Sequence, residues 1–427
     1  MQSLAGELDV PADKSISHRA LLLGAVADEP VTIDGALDGE DCFATRRALE
    51  ALGAKAEIDE SGFLLFKGEG AGSLASPGVP LDLGNSGTGI RLLCGLIAGL
   101  GLDAELSGDA SLQRRPMDRI AMPLSRMGAS ISTRDGKPPV VIKSGHLLTG
   151  IDYTMPVASA QVKTAILLAA IWADGTTRVR QPGICRDHTE RMLQSLGAPI
   201  RFDRNVAEIV GPTRLKGGHI SVPGDFSSAA FFIVAGLLAA DDRLVIRNVG
   251  VNPTRTGLID ILRKMGARIE VGDVHMRGVE PVADITVYRS DLTGIVIPGE
   301  HVATAIDEFP VLFVAAAAAK GETRLDGAAE LRHKESDRIA AMADCLDELG
   351  IQVTTTSDGM RVTGGTLHGG TVESRGDHRI AMAMAVAGTV AEGPVTVKDI
   401  ANVATSFPGF RDTAAGIGFD ILELEIP

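Results

Sequence analysis

The sequence predicts an α/β protein of two domains, each built around helices that are buried on every side. Three observations lead to this prediction. The chain has 427 residues, more than one hydrophobic core usually holds. A phrase that joins an amphipathic segment, a glycine and an alternating strand occurs six times along it. A second kind of segment, apolar throughout, also occurs six times.

The repeated phrase predicts a helix that ends at a glycine and is followed by a half-buried strand. Typical copies are ALEALGAKAEI and ILRKMGARIEV, and the last copy, TAAGIGFDILEL, is degraded. The glycine supplies the left-handed conformation that commonly ends a helix. Successive glycines are 68 to 84 residues apart, which divides the chain into six units. They are Gly53, Gly128, Gly197, Gly266, Gly350 and Gly418.

The six apolar segments predict helices at the centre of each domain. A helix without a polar face must be surrounded by other elements. We therefore expect the strands and the amphipathic helices to lie outside these segments. In chain order the segments are LLLGAVA, LLCGLIAGL, AILLAAIWA, AAFFIVAGLLAA, PVLFVAAAAA and IAMAMAVAG.

Two near copies of one hexapeptide mark the halves of the chain. VPADKS begins at Val10 and VPGDFS begins at Val222, and an apolar segment follows each. We interpret residues 12–222 as the first domain, and residues 1–11 with 223–427 as the second. Because the chain then passes twice between the domains, we expect a hinge that closes them around a ligand.

Composition excludes several classes of function. A net charge of −14 argues against a surface for nucleic acids or anionic membranes. The longest apolar run, residues 229–240, is too short to span a bilayer. The four cysteines are far apart in the sequence, which fits a reducing compartment. The N-terminus has neither the basic nor the apolar segment of a signal peptide, so we expect a cytoplasmic protein.

The segments that lead into the apolar helices predict an anion-binding cleft. Their Ser, Asp and Asn residues are ordinary helix caps, but four of the six also carry Lys or Arg, where the helix dipole favours acids. If the three helices of each domain are parallel, their N-termini face one cleft between the domains. In the stretch from Gly84 to Arg91, glycines allow close approach of a ligand, and Arg91 offers a two-pronged donor.

Three further groups of charged residues each allow two interpretations. Lys334 and Arg338 are four residues apart on a predicted helix that also contains Glu335, so the three are either surface ion pairs or a phosphate clamp beside a general acid. Asp307 lies next to Glu308 in the otherwise apolar segment that leads into the fifth apolar helix, and it is either a helix cap or a base. The pair Arg114–Arg115 is solvated charge or an anion site.

No other familiar chemistry is visible in the sequence. The histidines are not at metal-ligand spacing, and there is neither a Ser-His-Asp pattern nor a Walker or Rossmann fingerprint. We therefore expect no metal site. The residues alone point to an enzyme that joins or splits small molecules carrying several negative charges.

Taken together, the motifs resemble the 5-enolpyruvylshikimate-3-phosphate synthase family, from about residue 5 to the C-terminus and in the same order. The resemblance implies two inside-out α/β barrels of three βαβαββ units each, hinged around an active-site cleft. It implies transfer of the enolpyruvyl group of phosphoenolpyruvate to the 5-hydroxyl of shikimate-3-phosphate, with release of phosphate and without an organic cofactor. The motifs are DKSISHRALLLGA, LGNSGTGIRLL, SLQRRPM, SAQVKTAILLA, RDHTERML, VNPTRTG, IDEFPVL, LRHKESDRIA, DHRIAMA and TSFPGF.

The resemblance also assigns roles to residues that match its motifs. Asp307 is the base for the 5-hydroxyl, Glu335 delivers a proton to phosphoenolpyruvate, and Lys14 contacts both substrates. The first domain then lies mainly on the shikimate-3-phosphate side, and the second supplies the catalytic carboxylates. The contacts with shikimate-3-phosphate are Ser15, Arg19, Ser159, Ala160, Gln161 and Arg186. The phosphoenolpyruvate pocket contains Asn85, Gly87, Arg115, Lys334, Arg338 and Arg379.

The chain departs from the family pattern at Ala12, His333 and Thr405, and it keeps Gly87, where a larger residue would crowd the inhibitor glyphosate. Two alternatives stay open. One is the related transferase that acts on UDP-N-acetylglucosamine, although its reactive cysteine is missing around SLQRRPM. The other is a non-catalytic polyanion-binding protein. RNA-end chemistry on a related fold is disfavoured by the negative charge. We expect a monomer, since each domain closes its own barrel.

Overall fold

A computed structural model describes residues 2–422 of the chain. Within this range the helices are α1 Lys14–Val26, α2 Glu40–Ala51, α3 Gly87–Leu100, α4 Asp118–Met127, α5 Ala160–Ala170, α6 His188–Ser195, α7 Phe226–Ala239, α8 Gly257–Lys264, α9 Phe309–Ala318, α10 Arg338–Glu348, α11 His378–Gly388 and α12 Phe410–Ala415.

The strands alternate with these helices along the chain. They are β1 Leu4–Asp9, β2 Val31–Asp34, β3 Ala56–Ile58, β4 Leu64–Phe66, β5 Leu81–Asp82, β6 Ala104–Ser107, β7 Ser130–Arg134, β8 Lys137–Lys143, β9 Asp152–Thr154, β10 Gly175–Arg180, β11 Ile200–Phe202, β12 Val206–Gly211, β13 Gly218–Ser221, β14 Ala240–Gly250, β15 Arg268–Val271, β16 His275–Arg277, β17 Glu280–Tyr288, β18 Glu322–Leu325, β19 Val353–Thr355, β20 Met360–Thr363, β21 His368–Glu373 and β22 Glu392–Lys398.

The described residues form two compact units. The first unit comprises Ala12–Val222 and Arg277–Glu280, and the second comprises the remainder on either side of these segments. These units differ from the expected boundaries only at residues 277–280, which the sequence analysis assigned to the second domain. The difference has a local cause, since Arg277 pairs with Asp34 at 2.9 Å and Glu280 with His188 at 2.7 Å, both in the first unit.

The first unit contains three sheets with the same topology. In each sheet a parallel pair of strands is extended by two antiparallel strands, in the orders β13-β2-β4-β3, β5-β6-β8-β7 and β9-β10-β12-β11. Each sheet belongs to one buried and one amphipathic helix along the chain, as in β5-α3-β6-α4-β7-β8. The sixfold repeat of the sequence is therefore a repeat of βαβαββ units, and the predicted α/β class is confirmed.

The second unit follows the same plan with more variation. The first strand of the chain, β1, pairs in parallel with β14, and β17 and β15 extend this sheet, so the N-terminal residues do pair with the later half as expected. A second sheet has the order β18-β20-β19, and β21 pairs with β22. The last repeat phrase runs to residue 424, so its final residues lie outside the described part of the chain.

The apolar segments are the buried centres of both units. All fourteen residues of α7 are buried, and α1, α3, α5, α9 and α11 are buried along most of their lengths. Helices α3 and α5 pack so closely that a Cβ on Gly95 would lie 2.1 Å from the carbonyl oxygen of Ala165. The six phrase glycines have φ between +83° and +108°, the left-handed conformation that was predicted.

No helix in the described part of the chain combines the length and the apolar character needed to cross a bilayer.

Candidate active site

The buried helices of the first unit begin side by side. Arg19 of α1 donates from Nη2 to Thr164 Oγ1 of α5 at 2.9 Å. Gln161, in the first turn of α5, donates to Thr88 Oγ1 of α3 at 3.0 Å. Helix N-termini carry unpaired N–H groups and the positive end of the dipole. The segments that lead into the three buried helices of this unit therefore form one basic surface that is rich in hydrogen-bond donors.

At the start of α1, each expected side chain has a defined partner. Asp13 caps the helix by accepting from the Ile16 N–H at 2.9 Å. Lys14 pairs with Asp41 at 2.9 Å. Arg19 is buried and donates from Nε to Thr189 Oγ1 at 2.7 Å and from Nη1 to the Ser15 carbonyl at 2.7 Å. The cap and these bonds hold the ammonium and guanidinium groups on one side of the helix end.

Arg186 joins this group from a distant loop. Its Nη1 donates to the Ser15 hydroxyl at 3.1 Å, although the two residues are 171 positions apart in the chain. Ser159 caps α5 by accepting from the Val162 N–H at 3.4 Å, and Ala160 is the first residue of that helix. The structure thus brings all the residues expected to contact shikimate-3-phosphate to the N-terminal ends of the buried helices α1 and α5.

The glycine-rich stretch before α3 forms a second group with Arg115. Arg115 is buried and donates from Nη2 to Asn85 Oδ1 at 2.6 Å, and Asn85 donates in turn to Asp109 at 2.7 Å. A Cβ on Gly87 would lie 2.6 Å from Arg115 Nη1, so the guanidinium rests against the glycine. The neighbouring Arg114 is exposed. Arg114 therefore fits the interpretation as solvated charge, whereas Arg115 is buried beside the glycine-rich stretch.

The structure corrects the prediction that Arg91 offers a two-pronged donor to a ligand. Arg91 is buried, and its Nη1 donates to Gln161 Oε1 at 2.8 Å while its Nη2 donates to the Pro116 carbonyl at 3.2 Å. Both prongs are engaged within the protein because α5 and the loop before α4 pack against this turn of α3. Arg91 therefore orients Gln161 and the Arg115 loop instead of offering a free fork to a ligand.

In the second unit, two carboxylates share one arginine. Arg338 donates from Nη1 to Asp307 Oδ1 at 3.3 Å and from Nη2 to Glu335 Oε2 at 2.6 Å. Lys334 Nζ also donates to Asp307 Oδ1, at 3.1 Å. Both carboxylates are only partly exposed, so these charge-assisted bonds are poorly screened by solvent. The four residues singled out from the sequence are thus one cluster.

A third carboxylate, Asp377, supports this cluster from behind. It is fully buried, and it accepts from Arg338 Nε at 2.9 Å and from the Ser336 hydroxyl at 3.0 Å. It also caps α11 by accepting from the Arg379 N–H at 3.0 Å. Burial opposes the charge of Arg338, but the surrounding carboxylates outweigh it and raise the pKa of its guanidinium above the ordinary value.

The predicted helix around Lys334 is shorter than expected. The sequence analysis placed Lys334, Glu335 and Arg338 on one helix, but α10 begins at Arg338. Asp337 caps its N-terminus by accepting from the Ala340 N–H at 3.0 Å, so the helix does not extend back to Lys334. Lys334 and Glu335 therefore lie in the preceding loop, where their side chains reach Asp307 and Arg338 without helical spacing.

The two acids in the segment before α9, Asp307 and Glu308, have different environments. Asp307 faces Lys334 and Arg338, whereas Glu308 is buried and accepts from the Ser227 hydroxyl. Arg379 donates from Nη1 to the backbone carbonyl of Asp307 at 3.1 Å. Asp307 is thus the acid that pairs with Lys334 and Arg338, whereas Glu308 is buried, with Arg379 Nη1 3.9 Å from its Oε1.

Burial disfavours acid–base chemistry at His18 and nucleophilic chemistry at the cysteines. Burial, with smaller contributions from Lys14 and Arg19, lowers the pKa of His18 to about 3, so its imidazole is neutral at pH 7. The four cysteines are buried and free. Burial raises the pKa of the Cys94 thiol to about 12, and it also raises that of Cys185. These thiols are poor nucleophiles.

Sequence reasoning missed several residues that support the site. Thr164 and Thr189 hold Arg19, Asp41 pairs with Lys14, and Asp377 holds Arg338. Thr164, Thr189 and Asp377 lie inside motifs that were already quoted, so their proximity to assigned residues was the available signal. Asp41 lies outside every quoted motif, at the start of α2, and only the packing of α2 against α1 reveals it.

Comparison with known proteins gives one consistent answer. A family model described as EPSP synthase (3-phosphoshikimate 1-carboxyvinyltransferase) matches residues 1–414. A 3-phosphoshikimate 1-carboxyvinyltransferase of Legionella pneumophila (strain Lens) is 51% identical over 420 residues, which cover 98% of this chain and 97% of the relative. The protein of the same name from Halorhodospira halophila (strain DSM 244 / SL1) is 53% identical over 421 residues, which cover 98% and 95%.

Solved structures agree with the sequence relatives. An EPSP synthase from Acinetobacter baumannii has a TM-score of 0.86 and 46% identity, covering 98% of this chain and 96% of its own. The enolpyruvyl transferase NikO from Streptomyces tendae has a TM-score of 0.82 at 22% identity, covering 100% and 98%, and shares the fold. By its family model, its relatives and its fold, the chain belongs to the EPSP synthase family.

Proposed function

We propose that this chain transfers the enolpyruvyl group of phosphoenolpyruvate to the 5-hydroxyl of shikimate-3-phosphate and releases phosphate, with Asp307, Glu335 and Lys14 as its catalytic residues. The observation that carries the residue assignment is the cluster in which Arg338 bonds to both Asp307 and Glu335. A base and an acid held by one buried cation have fixed positions, which proton transfer to and from bound substrates requires.

The substrate contacts follow from charge and position. Shikimate-3-phosphate carries a phosphate and a carboxylate, which suit the donors at the starts of α1 and α5. Those donors are Lys14, Ser15, Arg19, Ser159, Ala160, Gln161 and Arg186. Phosphoenolpyruvate also carries a phosphate and a carboxylate, and forked guanidinium groups bind both well. We assign to it Lys14, Asn85, Gly87, Arg115, Lys334, Arg338 and Arg379.

The proton bookkeeping requires both carboxyl groups. Asp307 removes the proton from the 5-hydroxyl as its oxygen attacks C2 of phosphoenolpyruvate. Glu335 supplies a proton to the methylene carbon, C3, which gives a saturated intermediate that still holds the phosphate. Because the product keeps its double bond, a proton must leave C3 again as the C2–O bond to phosphate breaks. No cofactor is needed, since no electrons are exchanged with an external carrier.

The test is phosphate release from purified protein with both substrates, and with each omitted in turn. We expect release only when both are present, and a loss of at least about a hundredfold in kcat for Asp307→Ala and Glu335→Gln. Release with UDP-N-acetylglucosamine in place of shikimate-3-phosphate would favour the related transferase. Tight binding of both ligands without release would favour a non-catalytic role.

Three further expectations accompany this function. We propose that the protein acts in the cytoplasm and that it works as a monomer. We also propose that glyphosate inhibits it in competition with phosphoenolpyruvate, because Gly87 has no side chain that would crowd the inhibitor or displace Arg115. Inhibition assays at two phosphoenolpyruvate concentrations and light scattering across a dilution series test the last two points.

A further inference from the structure

The first turn of α6 contains three consecutive buried side chains that each contact a different part of the first unit. Thr189 accepts from Arg19, Glu190 pairs with Lys163 of α5, and His188 pairs with Glu280. We propose that Glu280 is a positioning residue of the shikimate-3-phosphate subsite, acting through His188 on Arg186. This inference rests on the function proposed above.

The contact between His188 and Glu280 is well isolated from solvent. Nδ1 of His188 lies 2.7 Å from Oε1 of Glu280, and both side chains are 2% exposed. A buried pair of this kind adds little net stability, because desolvation offsets most of the attraction. What it does instead is connect the first residue of α6 to the segment that contains Glu280.

Glu280 belongs to a short segment, residues 277–280, that lies 92 positions beyond His188 at its closest contact. Two more bonds fix the segment in the first unit. Arg277 pairs with Asp34 at 2.9 Å, and the carbonyl of Val279 accepts from Arg191 at 3.3 Å. The segment is thus attached at both of its ends, and α6 is held through two of its residues, His188 and Arg191.

Arg186 is the expected shikimate-3-phosphate contact that lies nearest to this attachment along the chain. It lies two residues before His188, and the contact of its Nη1 with the Ser15 hydroxyl is already 3.1 Å long. A displacement of about 0.5 Å along the contact would lengthen it beyond hydrogen-bonding distance, roughly 3.5 Å. Arg19 also has partners outside α6, since its guanidinium bonds to Ser15 of α1 and Thr164 of α5 as well as to Thr189.

The test uses Glu280→Gln, which keeps the size of the side chain and an acceptor oxygen but removes the charge. Calorimetric titration with shikimate-3-phosphate alone measures the affected step. We expect the Kd to rise about tenfold, the order of magnitude for a loosened supporting contact. The KM for phosphoenolpyruvate and the kcat at saturating substrates should stay within about twofold. Glu322→Gln, an exposed glutamate on β18, is the matched control and should bind like the unmodified protein.

A double-mutant cycle shows whether Glu280 acts through Arg186. Arg186→Ala alone should weaken binding, and adding Glu280→Gln to it should have less than a third of the effect that it has alone. Additive effects, or equal loss of affinity for both substrates, would overturn the inference. If Glu280→Gln unfolds more easily in urea at the assay temperature, His188→Gln tests the same contact from its other side and should give the same tenfold loss.

The two proposals fail in different ways. If the unmodified protein does not bind shikimate-3-phosphate, the proposed function is wrong. If it binds, and Glu280→Gln binds equally well, only the positioning role is wrong.

Discussion

Replacing Arg338 with lysine separates the charge of this residue from its geometry. The guanidinium bonds to three carboxylates through three different nitrogens: Nε to Asp377, Nη1 to Asp307 and Nη2 to Glu335. A lysine keeps the positive charge but has one nitrogen on a flexible stem, so it cannot match the planar fork. At least two charge-assisted hydrogen bonds are lost, each contributing about 1.5–3 kcal/mol.

Losing these bonds should cost about 3–6 kcal/mol in total, divided between a lower free energy of unfolding and a higher activation free energy of the reaction. If half of it falls on the transition state, kcat/KM decreases by roughly ten- to a hundredfold, since 1.4 kcal/mol corresponds to a factor of ten. Initial rates of phosphate release measure the catalytic part, and urea unfolding measures the remainder.

The matched control is Arg375→Lys, the same substitution at an exposed ion pair with Asp344. A pair of this kind contributes at most about 1 kcal/mol, so both the rate and the midpoint of unfolding should change little. Equal behaviour of the two variants, with Arg338→Lys retaining more than a fifth of the activity, would refute the view that the fork holds the two carboxylates in place.

Three other outcomes are expected. The lowered pKa of His18 means that its imidazole binds a proton below pH 6.5 in the unfolded chain but stays neutral down to about pH 3 in the folded chain. The free energy of unfolding is therefore unaffected by this residue above pH 6.5 and should decrease by about 2 kcal/mol at pH 5. Urea titrations should not find this loss in His18→Gln. Gly87→Ala should raise the KM for phosphoenolpyruvate about tenfold by displacing Arg115, with the Kd of shikimate-3-phosphate unchanged in calorimetry. Either Lys163→Met or Glu190→Leu alone should destabilise the protein by about 3–5 kcal/mol in urea, and the double variant should recover most of this loss; equal stability of all three would contradict the buried pair.

Local sequence patterns predicted the helices and turns of this fold well. Each phrase glycine, such as Gly128 or Gly350, takes the left-handed conformation because a helix ends there, and this depends only on neighbouring residues. The all-apolar helix α7 is buried because no face of it tolerates water. The repeat then fixes which elements recur together, and with them the sheets of each unit.

Side-chain partners depend on packing between distant segments, and there the sequence was a weaker guide. Arg91 resembled a ligand-binding fork, but Gln161, seventy positions later, occupies one of its prongs. The predicted start of α10 was wrong, because the capping bond of Asp337 competes with the helix propensity of the residues before it. Glu280 could not be assigned to the first unit, since nothing in its local pattern refers to His188.

In both units, the basic residues assigned to substrates are bonded to acceptors of the protein itself, as in the pairs of Lys14 with Asp41, Arg115 with Asn85 and Lys334 with Asp307. The proposed binding is therefore an exchange of partners, in which a substrate anion competes with an internal carboxylate or amide. Part of each new bond only replaces an old one, so affinity should grow less than the number of contacts suggests. Few counterions are released, and the salt dependence of binding should be shallow. A ligand with a single charge cannot compete for several cations at once, which selects for compact molecules with two anionic groups.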